Sequence, residues 1–223
     1  MSEHPASPNF NDRDGVAIDM LVIHYTGMRS GEEALERLCD HKAEVSAHYM
    51  ITQAGEVLSL VDETKRAWHA GVASWRGHSN INSRSIGIEL VNPGHEFGYQ
   101  DFPHAQMVSL IDLCQGIVTR HDIPPRNVVG HSDVAPLRKQ DPGERFDWRR
   151  MAEAEIGLWP HLDGVSASVS ENAMAGALHQ IGYDISDQNA AIKAFQRHYR
   201  PRLIDGVADD ETRQSIAALL KLI

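Results

Sequence analysis

Ile18-Asp-Met-Leu-Val-Ile-His-Tyr25 is an apolar run of strand length that ends at a histidine. Read as a strand, it delivers an imidazole at its C-terminal end, where loops gather in a sheet protein. Downstream, Ser30-Gly-Glu-Glu33 is a capping box that opens a helix through about Asp40. His48 to Thr52 and Glu56 to Val61 flank Gln53-Ala-Gly55 as a hairpin, and Ser85-Ile-Gly-Ile-Glu-Leu-Val91 is a further strand. Pro103 to about Asp122 carries helical spacing through Met107, Leu110, Ile111, Cys114 and Val118. Pro124-Pro125 then precedes a short strand, Asn127-Val-Val-Gly, that delivers His131. Strands alternating with helices predict an α/β fold, a mixed central sheet flanked by helices. Residues 64 to 84, rich in Trp, His, Gly, Ser and Asn, read as one long loop of the functional kind.

After Trp159-Pro160 the character changes. Three short helices are predicted, Ser170 to about Gly182, Asp187 to Tyr199, and one opening at Asp209 with acidic Asp210 and Glu211 in its first turn. Some fifty residues make a small core at best, so they read as a three-helix module attached to a main domain. The organisation expected is an extension over 1–14, a main domain over 15–160, a linker over 161–169 and the module over 170–223. Within the module Ile192, Phe195 and Leu219 are read as core rather than ligand contacts.

Composition narrows the class. The 223 residues are 42% hydrophobic and 23% charged, ordinary for a globular protein, and a net charge of −10 argues against a nucleic-acid partner. No apolar stretch approaches the roughly 20 residues that span a bilayer. The polar start Met1 to Phe10 lacks a basic region and an apolar segment, so it does not read as a signal peptide and leans toward a cytoplasmic location. A periplasmic location is the alternative if Met1 replaces a leader. Cys39 and Cys114 both fall in helices and read as buried thiols rather than a disulfide framework.

The chemistry concentrates around Lys139-Gln-Asp-Pro-Gly143, which follows closely on Gly130-His-Ser132. An imidazole, a carboxylate and a lysine share one loop region, and His24 is placed to add a third ligand. Two histidines and one carboxylate leave a tetrahedral position open, the arrangement of a hydrolytic rather than a structural zinc. Taken alone, each of these histidines reads more readily as structural or surface than as a ligand, so in a chain with 13 histidines context has to decide.

That context is six ordered stretches: Val22-Ile-His-Tyr-Thr26, Ser46-Ala-His-Tyr49, Ala67-Trp-His-Ala-Gly71, Ser85-Ile-Gly-Ile-Glu-Leu90, Val129-Gly-His-Ser-Asp-Val-Ala-Pro136 and Lys139-Gln-Asp-Pro-Gly143. Over about residues 15 to 160 the chain resembles the zinc-dependent N-acetylmuramoyl-L-alanine amidases of the AmpD/AmiD type, related to phage T7 lysozyme and the peptidoglycan recognition proteins. The resemblance implies a Zn2+ cofactor on His24, His131 and Asp141, a catalytic base at Glu89 and a catalytic lysine at Lys139. Ala194-Phe-Gln-Arg197 and Ile204-Asp-Gly-Val-Ala-Asp209 resemble the small three-helix peptidoglycan-binding module, a combination closer to AmiD than to single-domain AmpD. It further implies cleavage of the amide between N-acetylmuramic acid, or its 1,6-anhydro form, and L-alanine, in cell-wall turnover or recycling. Peptidoglycan fragments and muropeptides are the expected partners, with no obligatory protein partner.

Plainer readings stand beside these. Alternation turns Glu89 away from Ile88 and Leu90, which suits a cleft-facing base or an ordinary ion pair. Lys139 next to Arg138 could be a solvated basic pair. Trp68, His69, Trp75 and Arg84 would suit sugar rings and a peptide carboxylate, or simply pack the loop. Tyr25 and His48 lie near the metal by sequence context, or support it from behind. At the level of the whole protein, the alternatives are a non-catalytic peptidoglycan-binding or sensing protein and a zinc peptidase cutting within the stem peptide.

Overall fold

The computed structural model describes residues 6–163 and 167–223; the first five residues of the expected extension and the middle of the expected linker lie outside them. A five-stranded sheet runs, edge to edge, Val57–Ser59, Tyr49–Ile51, Ser85–Leu90, Met20–Tyr25 and Val128–Gly130. Only the first pair, the expected hairpin, is antiparallel; the other pairings are parallel. The sheet is therefore mixed and flanked by helices, as the strand–helix alternation indicates. All three inner parallel pairings carry their C-terminal ends to the same rim, the rim where such sheets place ligands.

Period-two alternation sorts the strands into two buried faces. Leu21, Ile23, Ile86, Ile88, Leu90 and Ile51 turn to one side, against Met107, Leu110, Cys114 and Ile117 of the 18-residue helix His104–His121. Met20, Val22 and Val129 turn to the other. There Met50 meets Ala34 and Leu38 of the helix Gly31–Cys39, which Ser30 caps by accepting from the Glu33 amide at 3.2 Å. Cys114 is buried and Cys39 half-buried, with no disulfide between them.

The C-terminal helices form where their caps predict. Asp187 accepts from the Ala190 amide and Asp209 from the Thr212 amide, starting Gln188–Tyr199 and Asp210–Leu219; Met174–Ile181 precedes them. Their apolar faces do not close on each other alone. Leu178, Ile181, Phe195, Ile216 and Leu219 join one continuous cluster with Met20, Val22, Val129 and Val134 beneath them. Ile192, Phe195 and Leu219 are all buried, as read from the sequence. Among the described residues no helix is long and apolar enough to cross a membrane.

Residues 64 to 84 differ from the single long loop expected. Lys65–Ala67 pairs antiparallel with Phe10–Asp12, Ser74–Trp75 pairs with His78–Ser79, and Ile81–Arg84 is a helical turn. These elements are two to four residues long and separated by left-handed positions at Gly71, Arg76, Gly77 and Asn80, which interrupt any periodicity. The segment just before the main strand is equally anchored. Arg13 is buried and donates to the carbonyls of Glu63, Ser83 and Ser85, stitching the N-terminal residues to this region. Burial lowers its pKa to about 10.

Candidate metal centre

Register places the ligands. Ile23 lies opposite Gly130 and His24 opposite Glu89, so the residues ending three adjacent parallel strands come together at the rim. His131 follows Gly130 directly, and the Ser132 amide donates to the Asp141 carbonyl at 2.9 Å, folding the Lys139–Gly143 loop back over it. His24 Nδ1, His131 Nδ1 and Asp141 Oδ2 lie 3.0 Å from one another pairwise. All three residues are buried and form the metal-competent cluster found among the described residues.

The hydrogen bonds behind this cluster decide what it can hold. His131 Nε2 donates to the Ala70 carbonyl at 3.0 Å, which leaves its Nδ1 as a bare lone pair. His24 Nε2 lies 3.0 Å from His69 Nδ1, and His69 Nε2 lies 3.1 Å from Ser85 Oγ, whose hydroxyl donates to the Ile81 carbonyl. The terminal carbonyl can only accept. Every proton in the chain therefore points away from the centre, and His24 Nδ1 is also left unprotonated. Burial, with His131 nearby, lowers the His24 pKa to about 4, so it is neutral at physiological pH. Two lone pairs and a carboxylate converging at 3.0 Å fit a cation, and tetrahedral zinc sets its ligand atoms about 3.3 Å apart.

Glu89 stands beside His24 on the same face of the sheet. Its Oε2 is buried without a hydrogen-bond partner. Burial, reinforced by Asp141 and opposed by Lys139, raises its pKa well above the ordinary carboxylate range. A half-buried carboxyl with an orphaned oxygen beside the ligands can accept a proton from a molecule entering the centre. Lys139 is half-buried, and its charge is felt at both His24 and Glu89.

The other sequence candidates separate. His69 is buried behind His24 as described, so it orients a ligand rather than lining an open cleft. His48 is buried one layer further back, accepting from the Gly87 amide and contacting Arg13 and the Lys65 carbonyl. Tyr25, half-buried, points to the opposite side from His24 and bonds His95 at 2.9 Å. Trp68 donates to Asn11 at the sheet edge. Two candidates are not brought to the centre. Trp75 is buried against Tyr183 with ring centroids 5.1 Å apart, and Arg84 pairs with Asp19 at the far end of the strands.

Several residues that shape the centre were missed from sequence. Asn82 Oδ1 accepts from the amides of both His69 and Ala70, fixing the side chain and the carbonyl that hold the two histidine ligands. Gly87 makes room for His69: a Cβ there would sit 2.4 Å from the His69 ring. Tyr99 donates to the Pro142 carbonyl at 2.6 Å and stacks on His95, which in turn meets Glu144, bracing the Asp141 loop from outside. Asp133, two residues after His131, accepts from the Gly130 amide and from Tyr183 Oη and pairs with His198, all at 2.7 Å. The Ser-x-Gly-x-Glu spacing in Ser85–Glu89 was the one available signal, because all three residues share a face.

Comparison with known proteins agrees with this geometry. Residues 14–144 match the family described as N-acetylmuramoyl-L-alanine amidase. The chain is 37% identical to the N-acetylmuramoyl-L-alanine amidase AmiD of Escherichia coli over 231 residues, covering 92% of this chain and 83% of that protein. A structure of that AmiD, in complex with the substrate anhydro-N-acetylmuramic acid-L-Ala-D-γ-Glu-L-Lys, superposes with a TM-score of 0.83 at 36% identity, covering 100% of this chain and 93% of that one. AmpDh3 of Pseudomonas aeruginosa, in complex with an anhydromuramic pentapeptide, superposes with a TM-score of 0.82 at 30% identity over 97% of this chain and 95% of that one. The 1,6-anhydro-N-acetylmuramyl-L-alanine amidase AmpD of Citrobacter freundii is 43% identical over 106 residues, 48% of this chain and 54% of that protein.

Proposed function

The chain belongs to the N-acetylmuramoyl-L-alanine amidase family, and from that membership and its metal centre we propose that it hydrolyses the amide between the lactyl group of N-acetylmuramic acid, or its 1,6-anhydro form, and L-alanine. The observation that carries the reading is the convergence of His24 Nδ1, His131 Nδ1 and Asp141 Oδ2 beside an orphaned Glu89 oxygen. By analogy with the substrate bound to AmiD, the peptide would carry a γ-linked D-glutamate with a free α-carboxylate.

A zinc ion on the three ligands would supply Lewis acidity, lowering the pKa of water from ~16 to roughly 7. The protein's residues do the rest. Glu89 takes the proton of the attacking water as the C–O bond forms. Lys139 offers its ammonium to the oxyanion at the carbonyl carbon. Glu89 then returns the proton to the alanine nitrogen as the C–N bond breaks, leaving a lactyl carboxylate and a free peptide amine. His69 and the Ala70 carbonyl keep both imidazoles aimed throughout.

In this reading the C-terminal helices keep a peptidoglycan-binding role, supported by the resemblance of Ala194–Arg197 and Ile204–Asp209. Those residues are partly structural: Gln196 accepts from the amides of Asp205 and Gly206 and donates to the Val207 carbonyl. The test is release of free peptide from a muramoyl-tripeptide by metal-loaded, chelator-treated and zinc-restored protein, with His131→Ala as control. Turnover that follows the metal supports the proposal. A metal-replete protein that releases no peptide from any muropeptide tried would end it.

A further inference from the structure

Beside the metal centre lies a second cleft, about 480 Å³ in volume, between the Pro136–Gln140 loop and the helix Gln188–Tyr199. Four cationic side chains line it, Arg138, Lys139, Lys193 and Arg197, against one acid, Asp187. That concentration is unexpected in a chain of net charge −10. The acid is already engaged, capping its helix through the Ala190 amide at 2.9 Å. Arg138 is engaged too, donating to the carbonyls of Ala70 and Val72. The side chains of Lys139, Lys193 and Arg197 have no hydrogen-bond or ion-pair partner among the described residues.

Arg197 is the telling member, because its Nε is buried and unpartnered. Leaving a buried charged donor unsatisfied costs more than leaving a neutral one. Arg200, which caps the same helix, shares a buried Nε without a hydrogen bond, but its two terminal nitrogens are taken by the Leu203 carbonyl and Asp209. Arg197 is held without such a partner, and held firmly. Its neighbour His198 pairs with Asp133 at 2.7 Å and stacks on Trp148 at 3.8 Å, which ties the helix to the turn that carries His131. The Arg197 charge is felt as far as Tyr25, the residue after His24.

We propose that this cleft is a carboxylate-binding arm of the active site, in which Lys193 and Arg197 of the C-terminal helix hold the free α-carboxylate of the γ-linked glutamate in the stem peptide. The proposal rests on the amidase reading for the identity of the ligand. Lys139 marks where the two regions join. A glutamate one residue beyond the alanine lies within about 7 Å of the scissile bond, at the reach of two extended residues. Arginine and lysine suit a carboxylate that stays anionic at neutral pH, and a preset helix avoids the ordering cost of a flexible arm. The C-terminal helices would thus read the substrate's peptide in addition to any glycan.

The test is equilibrium binding of two synthetic peptides to the full-length, zinc-loaded protein. The first is L-Ala-γ-D-Glu-L-Lys and the second is the same peptide with the glutamate α-carboxylate converted to its amide. Wild type is expected to bind the acid at least about tenfold tighter than the amide. Arg197→Gln and the more peripheral Lys193→Gln should each shrink that preference, and the double variant should abolish it. Equal affinity of wild type for both peptides, no detectable binding of the acid, or a preference that survives the double variant would overturn the inference. Should Arg197→Gln fail to fold, Lys193→Gln decides alone. Peptide release from a muramoyl-tripeptide, read on the same preparation, reports on the amidase reading separately. Turnover without acid preference sinks only the carboxylate arm, and acid preference without turnover sinks only the amidase.

Discussion

Replacing Gly87 by alanine should weaken metal binding although Gly87 touches no metal ligand. The added Cβ would lie 2.4 to 2.6 Å from three atoms of the His69 ring. Carbon atoms in contact prefer about 3.5 Å, so the ring must retreat by roughly 1 Å. The His24 Nε2 to His69 Nδ1 contact, now 3.0 Å, would then open to near 4 Å, beyond a hydrogen bond. Losing the outer partner of a ligating histidine typically costs 10- to 100-fold in metal affinity, or about 1.4 to 2.7 kcal/mol. The assay is zinc competition against a chelator of known affinity for wild type, Gly87→Ala, His69→Ala and the double variant. Each single change should fall in that range. In the His69→Ala background the imidazole is gone and the Cβ has room, so Gly87→Ala should cost almost nothing more. Fully additive losses, or wild-type affinity in Gly87→Ala, would refute the claim that His69 orients His24.

Glu89→Gln should keep zinc at the wild-type stoichiometry and lose about 10²- to 10⁴-fold in turnover, measured by metal analysis and peptide release. Substantial residual turnover would remove Glu89 from the base role. Glu63 accepts from Arg120, His121 and Tyr49; burial alone would raise its pKa, but these partners outweigh it and hold it at about 2. Its folded pKa lies below its unfolded value of roughly 4.3, so the stability it adds is present above that pH and is lost as pH falls toward 2. After allowance for solvent, Glu63→Gln should cost about 1 to 2 kcal/mol at pH 7 and flatten the acid limb of denaturant midpoints; parallel limbs would contradict this. Truncation after residue 163 uncovers Met20, Val22, Trp75, Val129 and Val134, now packed beneath the C-terminal helices. At roughly 1.5 to 3 kcal/mol for each large side chain, the loss rivals a domain's whole stability. A truncated chain that unfolds cooperatively at the wild-type temperature would contradict the shared core.

The centre of the sheet was legible because its two six-residue strands, Met20–Tyr25 and Ser85–Leu90, are apolar runs with a chemically distinctive residue near the end. His24 and Glu89 each close such a run, and parallel register then sets them side by side. The roles of Trp75 and Arg84 were not legible. Their positions depend on turns at Arg76, Gly77 and Asn80, where left-handed backbone breaks every periodic signal. Pairing of Phe10–Asp12 with Lys65–Ala67 joins segments more than fifty residues apart, which local patterns do not report. His69 carried the right residue type in a conspicuous motif, but its duty behind His24 appears only when Gly87 and Ser85 are seen on the same face. The helical caps at Asp187 and Asp209 were readable, whereas the burial of helix faces against Met20 and Val22 was not, since apolar spacing names a face and not its partner.

The most direct measurement is mass spectrometry of the products formed from anhydro-N-acetylmuramyl-L-Ala-γ-D-Glu-L-Lys by the zinc-loaded protein in ¹⁸O-labelled water. The account predicts free anhydro-N-acetylmuramic acid carrying one ¹⁸O in its lactyl carboxylate, together with an unlabelled intact tripeptide. Label in a shortened peptide, with the muramic acid still bound to alanine, would contradict it.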